Sequence, residues 1–77
     1  MKSLNEAKAG EKVEIAEIRS GAGLVNRLAS MGLFPGTVIQ IISNSLKGPV
    51  IIQKNGSKLG LGAGAAVKVF VKPYSNK

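Results

Sequence analysis

Alternation of apolar and polar residues predicts five short β-strands along the chain. Their approximate ranges are 12–18, 37–42, 50–54, 57–61 and 67–72. In the first of these strands, Ile18 falls out of phase with Val13 and Ile15, which predicts a β-bulge near Ala16. Residues 1–10 are mostly polar, and we expect them to lead loosely into the first strand.

One segment has the periodicity of a helix instead. Leu24, Leu28 and Met31 recur at helical spacing and share one stripe, which predicts a short helix over these positions. Gly32 follows directly, where the end of a helix favours a residue that adopts positive φ. The next turn contains Pro35-Gly36, which fits the two central positions of a type II turn. A helix of about two turns is not stable alone in water, so we expect it to pack against the strands.

Turn signals and the order of the elements predict the fold class. Asn55-Gly56 separates the third and fourth strands and is a strong signal for a type I′ hairpin turn. Five short strands with one short α-helix inserted between the first and second indicate a mainly β chain. We predict a small, partly open β-barrel of SH3-like type. Its single domain spans residues 1–77, with residues 73–77 as a flexible tail.

The predicted second and third strands carry more apolar side chains than one face of a strand holds. These residues are Val38, Ile39, Ile41 and Ile42, followed by Val50, Ile51 and Ile52. Because a small barrel has one interior, some of these side chains either lie under the helix or remain at the surface. A surface patch on the order of several hundred Å² would mark a protein-binding site. The sequence leaves both alternatives open.

Basic residues dominate the chain after the first strand, and the formal net charge is +7. All four acidic residues lie within the first seventeen positions, whereas eight basic residues and no acidic ones follow from Ile18 onward. Such a block favours an anionic partner, which is nucleic acid, a lipid surface or an acidic protein face. Lysines spaced along strands also serve simply to keep a small apolar β-domain soluble and to protect its edges.

The residue types present argue against catalysis and metal binding. The chain has no cysteine and no histidine, and nothing pairs its glutamates as acid–base or metal-ligating groups. We therefore expect no enzyme activity, no metal site and no cofactor. The run Gly60–Ala65 formally matches a dinucleotide-binding fingerprint, but this fingerprint requires a helix, another strand and an acidic residue about 20 positions further on. Only twelve residues follow Ala65, and none of them is acidic.

A basic barrel that binds nucleic acid is an alternative interpretation. Lys54 and Lys58 flank the predicted hairpin turn, and Lys68 and Lys72 share one face of the last predicted strand, which resembles a phosphate track. The aromatic residues of the chain are Phe34, Phe70 and Tyr74. Recognition of single strands uses platforms of stacked aromatic side chains, so we expect no specific nucleic acid as a partner.

Hydropathy gives no sign of a membrane segment. No apolar run approaches the roughly 20 residues that a membrane-spanning helix needs, and the N-terminus lacks the apolar core of a signal peptide. We expect a cytoplasmic protein without direct membrane insertion.

The run from Arg27 to Gly36 is similar to the signature of the FeoA family, ferrous iron transport protein A of bacteria. The matching positions are Arg27-Leu28, Met31-Gly32-Leu33 and Pro35-Gly36. The resemblance extends over nearly the whole chain, through Leu4 and Gly10, then Gly48-Pro49-Val50, and finally Val67, Val69 and Val71.

The resemblance implies an SH3-like barrel that acts as a small cytoplasmic accessory to FeoB, a membrane permease with its own GTP-binding domain. It also implies binding to that permease, with modulation of its nucleotide cycle or of iron uptake. The same fold occurs as the C-terminal domain of metal-dependent bacterial repressors, where a DNA-binding domain precedes it. Because this chain begins at Met1 with the barrel itself, we expect a free-standing protein.

The helix and the turn after it supply the candidate contact residues. We expect Leu24, Leu28, Met31 and Leu33 to form the partner-binding surface, with Arg27 as a nearby charge. The residues expected to hold the shape of this surface are Gly32, Pro35 and Gly36. For the four apolar residues, packing in the core is the alternative.

Overall fold

The computed structural model describes residues 1–45 and 48–74. The strands in this part of the chain are β1 (Lys2–Ser3), β2 (Lys12–Ile18), β3 (Val38–Asn44), β4 (Val50–Lys54), β5 (Ser57–Leu61) and β6 (Val69–Pro73). A 3₁₀ helix (Leu4–Glu6) follows β1, and the α-helices α1 (Ala22–Ser30) and α2 (Ala63–Ala66) follow β2 and β5.

All of these strands belong to one antiparallel sheet with the order β1-β6-β2-β3-β4-β5. The terminal strands of this order, β1 and β5, do not pair with each other, so the sheet is not closed. The 3₁₀ helix that follows β1 lies against α2, which follows β5, and this contact brings the two ends of the sheet together. The predicted mainly β, partly open SH3-like fold is confirmed, with six strands in the described residues rather than five.

The additional strand lies in the N-terminal segment, for which the expectation of a loose lead-in is wrong. Lys2 and Ser3 pair with β6, and Leu4 beyond them has no exposed surface. The side-chain amide of Asn44 donates hydrogen bonds to the backbone carbonyls of Asn5, at 2.9 Å, and Ala7. Asn44 and Asn5 are 39 positions apart. No local pattern of residues reveals a contact over that separation.

The last strand is shorter than predicted. It begins at Val69 rather than at Val67, and the side chain of Val67 is 42% exposed. The expected small-residue link is also partly wrong, because Ala63–Ala66 form α2. Alanine has the highest helix propensity of all residues, which explains why a run of small residues forms a helical turn here.

The prediction of a flexible tail is wrong for its first two residues, Pro73 and Tyr74. Pro73 pairs with Val13 as the last residue of β6, and the N–H of Tyr74 donates to the carbonyl of Lys12 at 3.1 Å. Both contacts extend the ladder between β6 and β2. Residues 75–77 of the predicted tail lie outside the described residues.

Two local predictions are confirmed. The register between β2 and β6 shifts between Ile15 and Glu17, which places a bulge at Ala16. In the hairpin between β4 and β5, Asn55 has a φ of 50° and Gly56 a φ of 82°. Positive φ at both central residues is what a type I′ turn requires.

The hydrophobic core is formed by the buried side chains of the sheet together with residues of the 3₁₀ helix and of both α-helices. Its buried apolar residues are Leu4, Ala7, Val13, Ile15, Leu28, Leu33, Ile39, Ile41, Val50, Ile52, Leu61, Ala66, Val69 and Val71. Every strand from β2 to β6 and both α-helices contribute to it. A chain of this size has few other sources of stability, since it has no cysteine for disulfides.

The predicted excess of apolar residues in β3 and β4 is divided between the core and the surface. Val38 and Ile51 alternate with core residues and are half-buried. Ile42 is also half-buried, and it is the extra residue of a second bulge, because the register between β3 and β4 shifts between Ile41 and Ser43. The helix therefore does not remove all of this apolar surface from solvent.

Candidate protein-binding surface

The apolar stripe of α1 attaches this helix to the sheet. Leu28 is 1% exposed and belongs to the core, whereas Leu24 and Met31 pack against the core from partly exposed positions. Gly21 precedes the helix with extended backbone, and its carbonyl accepts a hydrogen bond from the N–H of Val25 at 3.2 Å. The helix thus begins two residues before the predicted start.

The helix α1 ends in a Schellman motif. The N–H of Gly32 donates to the carbonyl of Ala29 at 2.9 Å, and the N–H of Leu33 donates to the carbonyl of Leu28 at 2.8 Å. Gly32 has a φ of 79°, a left-handed conformation that costs a residue with a Cβ roughly 1–2 kcal/mol. Leu28 and Leu33 are both buried in the core, as the hydrophobic contact of this motif requires.

A turn at residues 34–37 then leads the chain into β3. Gly36 has a φ of 97°, and the N–H of Thr37 donates to the carbonyl of Phe34 at 3.0 Å, as in a type II turn. Two further backbone hydrogen bonds of 2.8 Å join Gly36 and Thr37 to Ile15 of β2. The turn is therefore fixed to the sheet, and it presents Phe34 with 51% of its surface exposed.

Four residues of α1 and of the turn after it form the candidate site, which we call the helix–turn surface. They are Leu24, Arg27, Met31 and Phe34. Arg27 lies three positions after Leu24 and four before Met31, so these three residues share one side of the helix. Phe34 follows Met31 by three positions on the fixed turn. Phenylalanine, methionine and arginine are among the residue types that are enriched at protein–protein interfaces.

The structure separates the predicted contact residues into two groups. Leu28 and Leu33 are each 1% exposed, so they are core residues and offer no surface to a partner. Leu24 and Met31 are half-buried, and Arg27 is exposed. We therefore restrict the predicted contact surface to these last three residues and add Phe34.

Phe34 is an exposed residue that sequence reasoning missed. A usable signal was present, because Leu33 must turn inward to complete the Schellman motif. The next residue then begins the turn on the outside of the molecule, and Pro35 after it removes a backbone donor. A large aromatic residue at that position of a rigid turn is exposed by the geometry of the backbone.

Ion pairs in the described residues involve glutamates of the N-terminal part. The Lys2 ammonium lies 3.0 Å from the Glu11 carboxylate, and the Arg19 guanidinium lies 2.9 Å from the Glu17 carboxylate. A hydrogen bond from the N–H of Lys8, together with the Lys2 ammonium, lowers the pKa of Glu11. The hydrogen bond from Arg19 likewise lowers the pKa of Glu17.

The guanidinium of Arg27 differs from that of Arg19. Arg19 pairs with Glu17 and also stacks on the ring of Phe70, 4.0 Å from the centroid. Arg27 has neither an ion pair nor a side-chain hydrogen bond to any residue in the ranges 1–45 and 48–74. Its charge is therefore available to an acidic group of a partner.

Other parts of the described chain offer exposed apolar residues and shallow grooves, but no metal-binding cluster. No group of three or more histidine, cysteine, aspartate or glutamate residues comes together there in a way that would hold a metal ion. A shallow groove of about 310 Å³ near the β4–β5 hairpin is lined by residues that include Lys12, Gln40 and Gln53, and its lining contains no carboxylate. Within the same ranges, no helix is both long and apolar enough to cross a bilayer.

Comparison with known proteins identifies relatives over nearly the whole chain. Residues 2–73 match the family model described as FeoA domain. A protein of Methanocaldococcus jannaschii named "Putative Fe(2+) transport protein A" is 42% identical over 66 residues, which cover 86% of this chain and 79% of that protein.

Solved structures show the same fold. The crystal structure of an iron uptake regulatory protein (FeoA) is 35% identical, has a TM-score of 0.88, and is matched over 94% of this chain and 96% of its own. The NMR structure of a FeoA-like protein from Clostridium acetobutylicum is 23% identical, with a TM-score of 0.83 and coverage of 99% and 90%. The crystal structure of ScaR with bound Zn²⁺ gives a TM-score of 0.85 at 20% identity, over 96% of this chain but only 37% of ScaR. At these lower identities the likeness shows the fold alone.

Proposed function

The chain belongs to the FeoA family, and on that basis we propose that it is an accessory protein of ferrous iron transport that binds the membrane permease FeoB. The proposed contact is with the cytoplasmic GTP-binding domain of the permease. The protein itself performs no chemistry in this proposal, and it influences iron uptake or the nucleotide cycle through binding. This function places it in the cytoplasm, next to the membrane but not in it.

The observation that supports this proposal is the exposure of Phe34 on a turn that is hydrogen-bonded to the sheet. A side chain on a rigid turn loses little conformational entropy when a partner covers it. Leu24 and Met31 add apolar surface that is already half-buried against the core. Such a combination of a rigid aromatic residue and flanking apolar surface is typical of a binding hot spot.

Arg27 adds an electrostatic requirement on the partner. Its guanidinium has no acidic partner among the described residues, and it lies on the same side of the helix as Leu24 and Met31. We therefore expect the permease to place a carboxylate against the helix–turn surface. A guanidinium–carboxylate pair within an apolar contact selects the orientation of the partner as well as contributing to affinity.

The test replaces apolar residues of the helix–turn surface with a charged one. Leu24→Glu and Phe34→Glu are each expected to weaken binding to the isolated GTP-binding domain of the permease by about thirty-fold or more, because a hot-spot residue contributes about 2 kcal/mol or more. Binding is measured by isothermal titration calorimetry and by co-purification. The thermal unfolding temperature of each variant shows whether the fold is retained.

Val67→Glu is the matched control. Val67 is 42% exposed, close to the 51% of Phe34, and it lies after α2 rather than after α1. This variant is expected to bind the permease domain like the wild type. If Leu24→Glu and Phe34→Glu bind normally while folded, the helix–turn surface is not the contact site.

A wild-type protein that does not bind the permease domain would contradict the proposed function itself. Fluorescence anisotropy with DNA and RNA at two salt concentrations then tests the alternative of a basic nucleic-acid-binding barrel. Each phosphate contact adds about 0.7–0.9 to the slope of log affinity against log salt. Micromolar binding to nucleic acid at physiological salt would support that alternative.

A further inference from the structure

The two edges of the sheet differ in their protection against pairing with another strand. The edge strand β1 contains only two residues, whereas β5 pairs with β4 through all five of its residues in an unshifted register. Natural edge strands are commonly protected by short length, proline or a bulge. The strand β5 has none of these three features. Its one charged side chain is Lys58, and a lysine protects an edge against basic or apolar strands but attracts an acidic one, so the outer edge is open to an acidic strand.

The hairpin turn determines which backbone groups of β5 face outward. In a two-residue type I′ hairpin, the residue after the turn, Ser57, forms a hydrogen-bonded pair with the opposite strand. Because such pairs alternate along an antiparallel ladder, Leu59 and Leu61 also bond to β4. The N–H and carbonyl groups of Lys58 and Gly60 therefore point away from the sheet. In the part of the chain that the structure describes, no hydrogen bond outside the ladders uses them.

The side chains next to this edge indicate what an added strand would carry. Lys58 is exposed, and Gly60, two residues further on, has no side chain to cover its neighbour. That neighbour is Ile51, which lies directly across from Gly60, is half-buried, and has its Cδ1 atom 3.3 Å from where a Cβ on Gly60 would be. An apolar side chain on an added strand, placed opposite Gly60, would cover the exposed part of Ile51. A carboxylate opposite Lys58 would satisfy the ammonium.

We propose that β5 accepts an extended segment of another protein, added as a further strand along Lys58 and Gly60. The segment carries an acidic and an apolar side chain two residues apart, so that the first lies beside Lys58 and the second lies over Ile51. This edge shares no residue with the helix–turn surface, and the proposal does not depend on permease binding.

Charge favours such a segment over a second copy of this chain. Across β3, β4 and β5 the charged residues are Lys54 and Lys58, and both are basic. The acidic residues lie in the first seventeen positions, on the 3₁₀ helix and on or before β2. Two β5 strands paired with each other would bring like charges together in a molecule of net charge +7, which is unfavourable. A strand with carboxylates gains attraction instead.

The test selects peptides against the whole protein from a phage-displayed library of random decapeptides. The enriched peptides are expected to contain an acidic and an apolar residue at a spacing of two. Gly60→Pro removes an outward N–H without touching the ladder to β4, and we expect it to weaken the enriched peptides at least ten-fold. Gly60→Ala is the matched control, since it adds the same Cβ next to Ile51 but keeps the N–H, and its affinity for the peptides is expected to stay close to that of the wild type.

Further variants separate the contribution of the Lys58 charge to peptide binding from that of the backbone N–H. Lys58→Gln is expected to weaken binding of the peptides about three-fold, and Lys72→Gln on β6 is expected to leave peptide binding unchanged. Lys58→Pro removes the other outward N–H, so it repeats the backbone test independently of the contact with Ile51. Far-UV circular dichroism and thermal unfolding confirm that each variant is folded.

The selection also has outcomes that would overturn the proposal. Absence of enriched peptides would do so, as would peptides that bind the folded Gly60→Pro and Lys58→Pro variants as tightly as the wild type. Sedimentation velocity tests for a second copy on the edge. A wild-type dimer that Gly60→Pro converts to monomer would show that β5 pairs with itself, and the proposed partner would then be wrong.

Discussion

Replacing Gly32 with alanine tests whether the end of α1 determines the stability of the fold. Gly32 has a φ of 79°, and a left-handed conformation costs alanine roughly 1–2 kcal/mol. The new Cβ would also lie 2.7 Å from Nζ and 3.3 Å from Cε of Lys54, so the end of that side chain has to move. Moving the Lys54 ammonium away from the C-terminus of α1 destabilises the fold by about a further 0.3–1 kcal/mol. The expected total is about 1.3–3 kcal/mol, or a decrease of about 5–24 °C in Tm.

Urea unfolding followed by far-UV circular dichroism measures this loss. The matched control is Gly23→Ala on the same helix, because Gly23 has no atom within 4 Å of a new Cβ and no positive φ. Alanine there is expected to stabilise the protein by about 0.5 kcal/mol through helix propensity. In a Lys54→Ala background, the cost of Gly32→Ala is expected to decrease to the conformational part, about 1–2 kcal/mol. A Gly32→Ala variant as stable as the wild type would refute the inference that α1 ends with residue 32 in a left-handed conformation.

Two further predictions concern the core and the ion pairs. Leu28→Ala is expected to lower the free energy of unfolding by about 2–5 kcal/mol, since Leu28 is 1% exposed, and a loss below about 1 kcal/mol in urea unfolding would contradict its place in the core. The hydrogen bond from the N–H of Lys8, and after it the Lys2 ammonium, lowers the pKa of Glu11, so the ionised carboxylate stabilises the fold at neutral pH. This stabilisation is lost as the pH falls from the ordinary value of 4.5 through the lower pKa of the folded state. The difference in Tm between wild type and Glu11→Gln is therefore expected to shrink on acidification, and a constant difference from pH 7 to pH 2 would argue against it.

The helix, its end and the hairpin turn were predictable because their signals are local. Gly32 and Asn55-Gly56 have positive φ in the structure, and each follows from the residue types that tolerate this conformation. The bulge at Ala16 was predictable for the same reason, since one phase change in the alternation of apolar residues is enough to place it.

The N-terminal strand was not predictable from local signals. Leu4 is a single apolar residue in a polar segment, and its burial depends on the carbonyl groups around it being satisfied by Asn44, far away in sequence. The second bulge, at Ile42, was hidden by a continuous apolar run, in which a phase change leaves no trace. Both features come from tertiary contacts.

The apolar stripe of α1 was predictable from the sequence, but the burial of each of its residues was not. Leu24, Leu28 and Met31 form one stripe by their period, yet a stripe has a centre and two margins. Which residue lies at the centre depends on how the helix is rotated about its axis against the sheet. In the structure Leu28 lies at the centre of the buried face, and Leu24 and Met31 lie together on one margin with part of their surface exposed. Periodicity alone does not contain this rotation.

The end of α1 and the turn after it are required by the fold itself, so their presence does not indicate one particular function. Gly32, Leu28 and Leu33 are required by the backbone geometry and the core wherever this helix end occurs. The domain of ScaR shares the fold at only 20% identity, and one fold in general hosts proteins of unrelated function. The residues that distinguish one function from another must then be those that the fold does not need. In this chain Arg27 and Phe34 of the helix–turn surface meet that condition, because both are exposed and neither belongs to the core.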